Sequence, residues 1–309
     1  MNPLNPVFFG AFLFFWGSCW GSFLNVLIHR IPLDQSIVFP PSTCPSCQTR
    51  LKWYWNIPLI SYLALRGRCG QCGVAISSRY FWVELIGGVW SLALGWILIW
   101  PEWSQPEVWV VHPHELMMSV LYWLWLQSGV YALVALTFID LEHFFLPDEI
   151  TFPMIAIGCW GGMALPQNDP LNHFWGMVAG WGLIVGLRGL GWLMYRREAM
   201  GMGDAKLLAL IGAFLGWRML PFILLASAVQ ALVAILGAQL YTRFTGRSNA
   251  LTVSTEELDA YFGEEDMYAD AGSHIAIPFG PFLALAAFEV IVFGPTVILE
   301  QFYSFLYVV

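Results

Sequence analysis

Eight stretches of this chain are apolar over lengths close to a bilayer's thickness, and no other feature restricts the fold as strongly. A membrane-spanning helix needs about 20 predominantly apolar residues, with about 17 as the lower end. The runs fall near 6–28, 81–100, 116–138, 150–165, 174–194, 205–217, 219–241 and 279–305, the fourth and sixth being short. Charge is scarce, at 11% of 309 residues, against about 25% in soluble proteins, which excludes a water-soluble globule. An aromatic share of 17% and a mean hydropathy of +0.65 exclude a disordered chain, because so much apolar surface does not stay solvated. The expected fold is all-α and polytopic, with about eight transmembrane helices. The first run lacks a basic leader segment and is too long for a signal-peptide core, so it is read as a retained helix.

Cytoplasmic loops concentrate Lys and Arg, and this sets the expected orientation. Arg30, Arg50, Lys52, Arg66, Arg68 and Arg79 lie between the first and second runs, Arg196, Arg197 and Lys206 between the fifth and sixth, and Arg243 and Arg247 after the seventh. With the N-terminus outside, these eleven of the thirteen basic residues face the cytoplasm. Arg218 falls in an outer turn, and Arg188 lies inside the fifth run, where snorkelling to the inner surface is expected. The segment 242–277 carries Glu256, Glu257, Asp259, Glu264, Glu265, Asp266 and Asp270, a density of like charge that favours a solvated loop. The division is therefore a first helix at 1–28, a cytoplasmic module at 29–80, helices two to seven over 81–241, the acidic loop at 242–277 and a last helix in 278–309. The net charge of -8 gives no reason to expect a nucleic-acid partner.

Four of the six cysteines form two CxxC pairs, Cys44/Cys47 and Cys69/Cys72, with 21 residues between the pairs. Two such turns supply the four sulfurs of a tetrahedral structural zinc site. Disulfides are the alternative, but a cytoplasmic loop is a reducing environment in which they rarely persist. Four sulfur ligands leave no open position for water, so the expected role is structural. Cys19 and Cys159 lie in apolar runs and read as packing residues. The stretch Trp53 to Leu65 between the pairs is too short to span; it either forms the apolar face of the module or rests in the headgroup region.

Acids at a membrane edge are costly and become functional candidates. The third run ends in FIDLEHFFLPDEIT at 138–151, and the sixth begins in GMGDAKLLA at 201–209. Asp140 and Asp204 thus fall on one predicted side of the membrane, 64 residues apart. Two carboxylates sharing a dry site do not both ionise easily, so one holds a proton while the other accepts one. That pairing supplies a base for water and an acid for a departing amine. Gly201 and Gly203 would let a peptide backbone approach. Asp148, after Pro147, reads as a helix start.

Taken together, these residues resemble the type IV prepilin peptidases, bifunctional leader peptidases and N-methyltransferases. The resemblance runs through GSFLNVLIHRIP at 21–32, the CxxC pairs, NIPLISYLALRGRC at 56–69 and ISSRYFWVEL at 76–85. It continues through Asp140 to Asp148, EAMGMGDAKLLALIGAFLGW at 198–217 and IPFGPFLALAAF at 277–288, in family order. It implies that Asp140 and Asp204 are the catalytic pair of a GxGD-type aspartyl protease in the bacterial inner membrane. The implied substrates are prepilins and pseudopilins of type IV pili and type II secretion, cleaved on the cytoplasmic side after a basic leader. It further implies methylation of the new N-terminal amine by S-adenosylmethionine; residues of the first cytoplasmic region such as Asn25, Arg30 and Glu84 are candidates for that reaction, with helix-end anchoring or packing as the alternative. Glu198 matches the family block and would hold a basic group of the leader or cap a helix start. A proton-coupled transporter would instead need acids near the midplane, and a zinc scaffold would need no particular Asp.

Overall fold

In the computed structural model, residues 5–44, 46–105, 113–195, 201–245 and 278–294 are described, and the regular structure among them is helical. The elements are α1 (Pro6–Arg30), α2 (Ile60–Ala64), α3 (Arg79–Leu98), α4 (Trp100–Trp103), α5 (Pro113–His143), α6 (Asp148–Ala164), α7 (Pro170–Tyr195), α8 (Met202–Leu215), α9 (Leu220–Thr245) and α10 (Gly280–Phe293). Each of the eight apolar runs corresponds to one of the longer helices. Five segments are long and apolar enough to cross a membrane: Pro6–Leu33, Arg79–Leu98, Pro113–His143, Pro170–Met194 and Trp217–Tyr241. At 17, 14 and 14 residues, α6, α8 and α10 are shorter; 14 residues rise only about 21 Å. By length and composition, five of the described helices suffice to cross a membrane. Glu198, Arg196, Arg197, Arg247 and the acidic residues from Glu256 to Asp270 lie outside the described residues.

The chain divides into two compact units, one of residues 1–139 and 147–170, the other of residues 140–146 and 171–309. In the first, α1 begins with the Asn5 side chain accepting the Val7 N–H at 2.9 Å and Pro6 in the first turn, a favoured helix start. Gly17 of α1 meets the Gly87 backbone of α3, and Gly21 meets Val83 and Glu84. Only a missing Cβ permits this spacing, which is how helices in lipid come close enough to attract. Asn25 fastens the same seam, donating to the Gly21 and Tyr80 carbonyls at 3.3 and 3.1 Å. On α5, the Trp125 indole N–H reaches the Ile157 carbonyl of α6 at 3.1 Å. Phe8, Phe12, Trp82, Trp96 and Trp160 are exposed, as residues facing acyl chains should be. Cys19 is exposed as well, so it faces outward rather than filling the packing role read from its apolar run.

The second unit is built around α8, which is buried from Leu207 through Phe214, the all-round burial of a core helix. Gly212 of α8 lies against the Gly176 backbone of α7. His173 of α7 bonds the Ala213 carbonyl through Nδ1 at 3.0 Å. Between α9 and α10, the Gln230 amide donates to Glu289 Oε1 at 2.9 Å, while the amide's own oxygen is buried without a partner among the described residues.

Candidate active site and metal site

Asp140 and Asp204 both belong to the second unit. Asp140 lies in the last turn of α5 and is 6% exposed. Asp204 lies in the first turn of α8, half-buried, where the helix N-terminus presents positive partial charge. The two carboxylates are close enough to act on each other's charge. Each faces a glycine N–H: Gly280 donates toward Asp140, and Gly201 toward Asp204. The Asp204 contact is half of a capping box, in which the third residue's side chain returns to the N-cap amide. Oδ2 of Asp140 is buried and has no hydrogen-bond partner among the described residues, an acceptor left open for a ligand.

Gly280 is a site residue that the sequence reading did not single out, although it lies within a matched block. A Cβ there would collide with Asp140 Oδ2, so the opening of α10 rests directly on the carboxylate. The setting of this glycine, Pro278-Phe279-Gly280-Pro281, was the available signal. Gly203 lies against Leu146, where a Cβ would stand 3.3 Å from Leu146 Cδ1, tighter than an ordinary contact. Asp148 opens α6 beside Glu149, the helix-start role expected of it.

The four cysteines of the paired CxxC motifs converge, their sulfurs all lying within 4.8 Å of one another. The Cys44 and Cys72 sulfurs are 3.8 Å apart, matching the roughly 3.8 Å edge of a tetrahedron with Zn–S bonds of about 2.3 Å. The two loops repeat each other. Cys44 N–H bonds the Thr49 carbonyl and Gln48 N–H returns to Cys44, while Cys69 N–H bonds Val74 and Gly73 N–H returns to Cys69. Each loop also closes an isolated bridge, Thr43 with Arg50 and Arg68 with Ala75. Positive φ at Gln48 and Gly73 makes the turn in each. Such loops aim donors at sulfur. The Thr49 hydroxyl, then its backbone N–H, draw the Cys47 thiol down to about 6, and the Cys72 and Gln71 backbones lower that of Cys69; although the Val74 backbone lowers it, burial and the three neighbouring cysteines push the Cys72 thiol up to about 11. Thiolates are the metal-binding form.

The segment between the loops divides its side chains. Trp55 lies against Gly70 of the second loop, with Lys52 5.0 Å from the Trp55 ring centroid, so Trp55 belongs to the module's apolar face. Trp53, 80% exposed, turns outward with Ile60 and Leu63.

Of the three residues expected near methyl transfer, Arg30 holds a loop, its guanidinium donating to the Ser36 and Pro40 carbonyls at 2.9 and 2.7 Å. Glu84, 8% exposed, accepts the Leu59 N–H at 2.7 Å and pins a residue whose φ is +61°. Asn25 is buried with Oδ1 unpartnered among the described residues.

The sequence matches two family models, the Bacterial Peptidase A24 N-terminal domain over residues 15–98 and the Type IV leader peptidase family over residues 128–236. Proteins named prepilin leader peptidase/N-methyltransferase are similar along nearly the whole length. That of Myxococcus xanthus is 35% identical, covering 93% of this chain and 91% of the relative. That of Aeromonas hydrophila is 32% identical, covering 94% and 93%. That of Pseudomonas aeruginosa is 30% identical, covering 94% and 92%. No solved structure matches the chain.

Proposed function

The chain belongs to the type IV leader peptidase family, and on that premise we propose that Asp140 and Asp204 hydrolyse the leader peptide bond of type IV prepilins. It is a multi-pass inner-membrane enzyme, a prepilin peptidase with N-methyltransferase activity. The observation that carries the two-aspartate reading is a buried carboxylate with an unpartnered oxygen, set beside a second one from another helix. One carboxylate takes a proton from water, whose oxygen attacks the scissile carbonyl carbon. The other, protonated, gives its proton to the amine nitrogen as the C–N bond breaks. Burial supports this chemistry, because fixed groups in a water-poor site act more strongly than in water. S-adenosylmethionine, when bound, supplies the methyl group for the amine so released. Pseudopilins of type II secretion are proposed as further substrates.

The reaction is placed at the cytoplasmic face, with the N-terminus outside. The eleven basic residues on one predicted side support this orientation, as does the fit to a substrate whose basic leader stays in the cytoplasm. The four-cysteine cluster is proposed to hold a structural zinc ion, supported by its sulfur spacing.

The purified full-length protein in detergent should cleave a prepilin, whereas Asp140→Asn and Asp204→Asn should each lose about 10²- to 10⁴-fold, the usual scale of acid–base catalysis. Parent-like cleavage by either variant would end the two-aspartate reading. Labelled S-adenosylmethionine in the same reaction should label the cleaved product. An N-terminal tag should be reached by an impermeant probe from the periplasm; protection there, with reaction only after lysis, would reverse the topology.

A further inference from the structure

The module at 29–80 is tied to the bilayer at both ends. α1 and α3 are each long and apolar enough to span, and the Asn25 amide of α1 donates to the Tyr80 carbonyl of α3 at 3.1 Å, so the chain leaves and re-enters the membrane at adjacent points. At 25 residues, α1 rises about 38 Å, more than the hydrocarbon core of about 30 Å, which sets its last residue, Arg30, in the headgroup layer. From there the guanidinium holds the Ser36 and Pro40 carbonyls. The tip of the loop so fixed is Val38 and Phe39, 68% and 71% exposed. Their N–H groups are met by the Ser36 hydroxyl oxygen at 3.3 and 3.2 Å, so this tip can enter an apolar layer without bare amide donors. α2 is held at the same level. Leu59 at its head donates to Glu84 in the second turn of α3, and Tyr62 turns inward onto Phe81 of α3, the ring centroids 5.6 Å apart. That leaves Ile60 and Leu63, three residues apart on the other face, 61% and 63% exposed, with Trp53 at 80%.

Exposed cations bracket this second apolar set in sequence, Arg50 and Lys52 before it and Arg66 and Arg68 after it. Residues 29–80 hold six basic side chains and a single acid, Asp34. Large apolar side chains gathered on a surface mark a place where something docks, and charge and position say what. A prepilin's basic leader would be repelled by these cations, and a second copy of the module would set like charges against each other. A bilayer with anionic headgroups matches both features, since Trp and other apolar tips settle at the acyl boundary while Lys and Arg meet the phosphates. We propose that the module is seated on anionic phospholipid, with Phe39 and Trp53 at the acyl boundary and Arg50, Lys52, Arg66 and Arg68 on the headgroups. Apolar insertion and basic charge together make the two signals that hold a body on a membrane surface. The seat depends neither on the peptidase assignment nor on which face of the bilayer the module occupies.

The test is photo-crosslinking of the full-length protein in nanodiscs of mixed phosphatidylglycerol and phosphatidylcholine, with adducts identified by mass. The photoreactive p-benzoylphenylalanine replaces Phe39, Trp53 or, as the reference for full lipid contact, Phe12 of α1, which is 62% exposed. Positions 39 and 53 should give phospholipid adducts, as position 12 does. In phosphatidylcholine alone the yield at 39 and 53 should fall about fivefold or more, the worth of one cation at an anionic surface, with no change at 12. Arg66→Gln combined with Arg68→Gln should produce the same fall in the mixed discs, and Arg66→Lys with Arg68→Lys should not, because a point charge suffices at a lipid surface. Absence of lipid adducts at 39 and 53, or equal yields in the two lipid compositions, overturns the proposal. Adducts that pass to an added prepilin, or to a second copy of the chain, would make this face a protein interface and overturn it as well. The comparison of lipid compositions uses the same protein throughout, so it decides the matter even if the arginine variants do not fold.

Discussion

Cys44, Cys47, Cys69 and Cys72 sit on two loops whose backbone bonds repeat at a constant offset, whereas Asp140 and Asp204 have no local feature in common. One ends a long helix and the other begins a short one. Each cysteine loop is folded by its own turn, so the cluster needs only two small units to dock. The aspartates meet because helices pack: α8 is held in the middle of its unit by glycine contacts with α7, and α10 brings Gly280 against Asp140. A locally encoded site should tolerate distant change and fail when its own turns are altered. A site made by packing should be sensitive to a single methyl group anywhere along the seam.

The largest expected effect is on cleavage, where either Asp→Asn change removes about 10²- to 10⁴-fold while the metal content matches that of the parent. Next, Gly280→Ala adds one methyl group against the Asp140 carboxylate. It should cost about 10²-fold in cleavage, the penalty of misplacing a catalytic group by about 1 Å, and it should be read from kcat at saturating prepilin. Parent-like cleavage by this variant would break the comparison, since the packed seam would then tolerate what it is said to forbid. Trp55→Ala should weaken metal retention by about 10- to 100-fold in a chelator competition, as loss of groups supporting the ligands does, with little change in cleavage. The smallest expected change is in cleavage by Cys69→Ser: emptied of metal, the variant should melt earlier, because metal binding is folding free energy here, yet cleave within about tenfold of the parent if the sites are energetically separate. A loss as large as that of Asp140→Asn would mean that the two sites act as one.

The cysteine cluster was fully legible, because CxxC spacing is itself a statement of ligand geometry. Asp140 and Asp204 were legible as candidates because charge is rare in apolar sequence. What escaped was made by shape. Gly280 has no chemistry of its own and matters only for the atoms it leaves room for, and Glu84 reads as an acid although its oxygen holds the strained Leu59 amide in place. Short helices were the other difficulty: α8 and α10 fall below the bilayer length and α6 stands at its lower end, so apolarity alone does not establish how many times the chain crosses. Cys19 could not be oriented, since an apolar run in lipid has no polar face to tell inside from outside.

The central claim is that the two aspartates work as one catalytic unit, and the double variant tests it most directly. In single-turnover cleavage of a prepilin, Asp140→Asn/Asp204→Asn should be no slower than the worse single variant to within about threefold, as members of a unit show. If the two losses multiply instead, the carboxylates act independently and the paired mechanism is wrong.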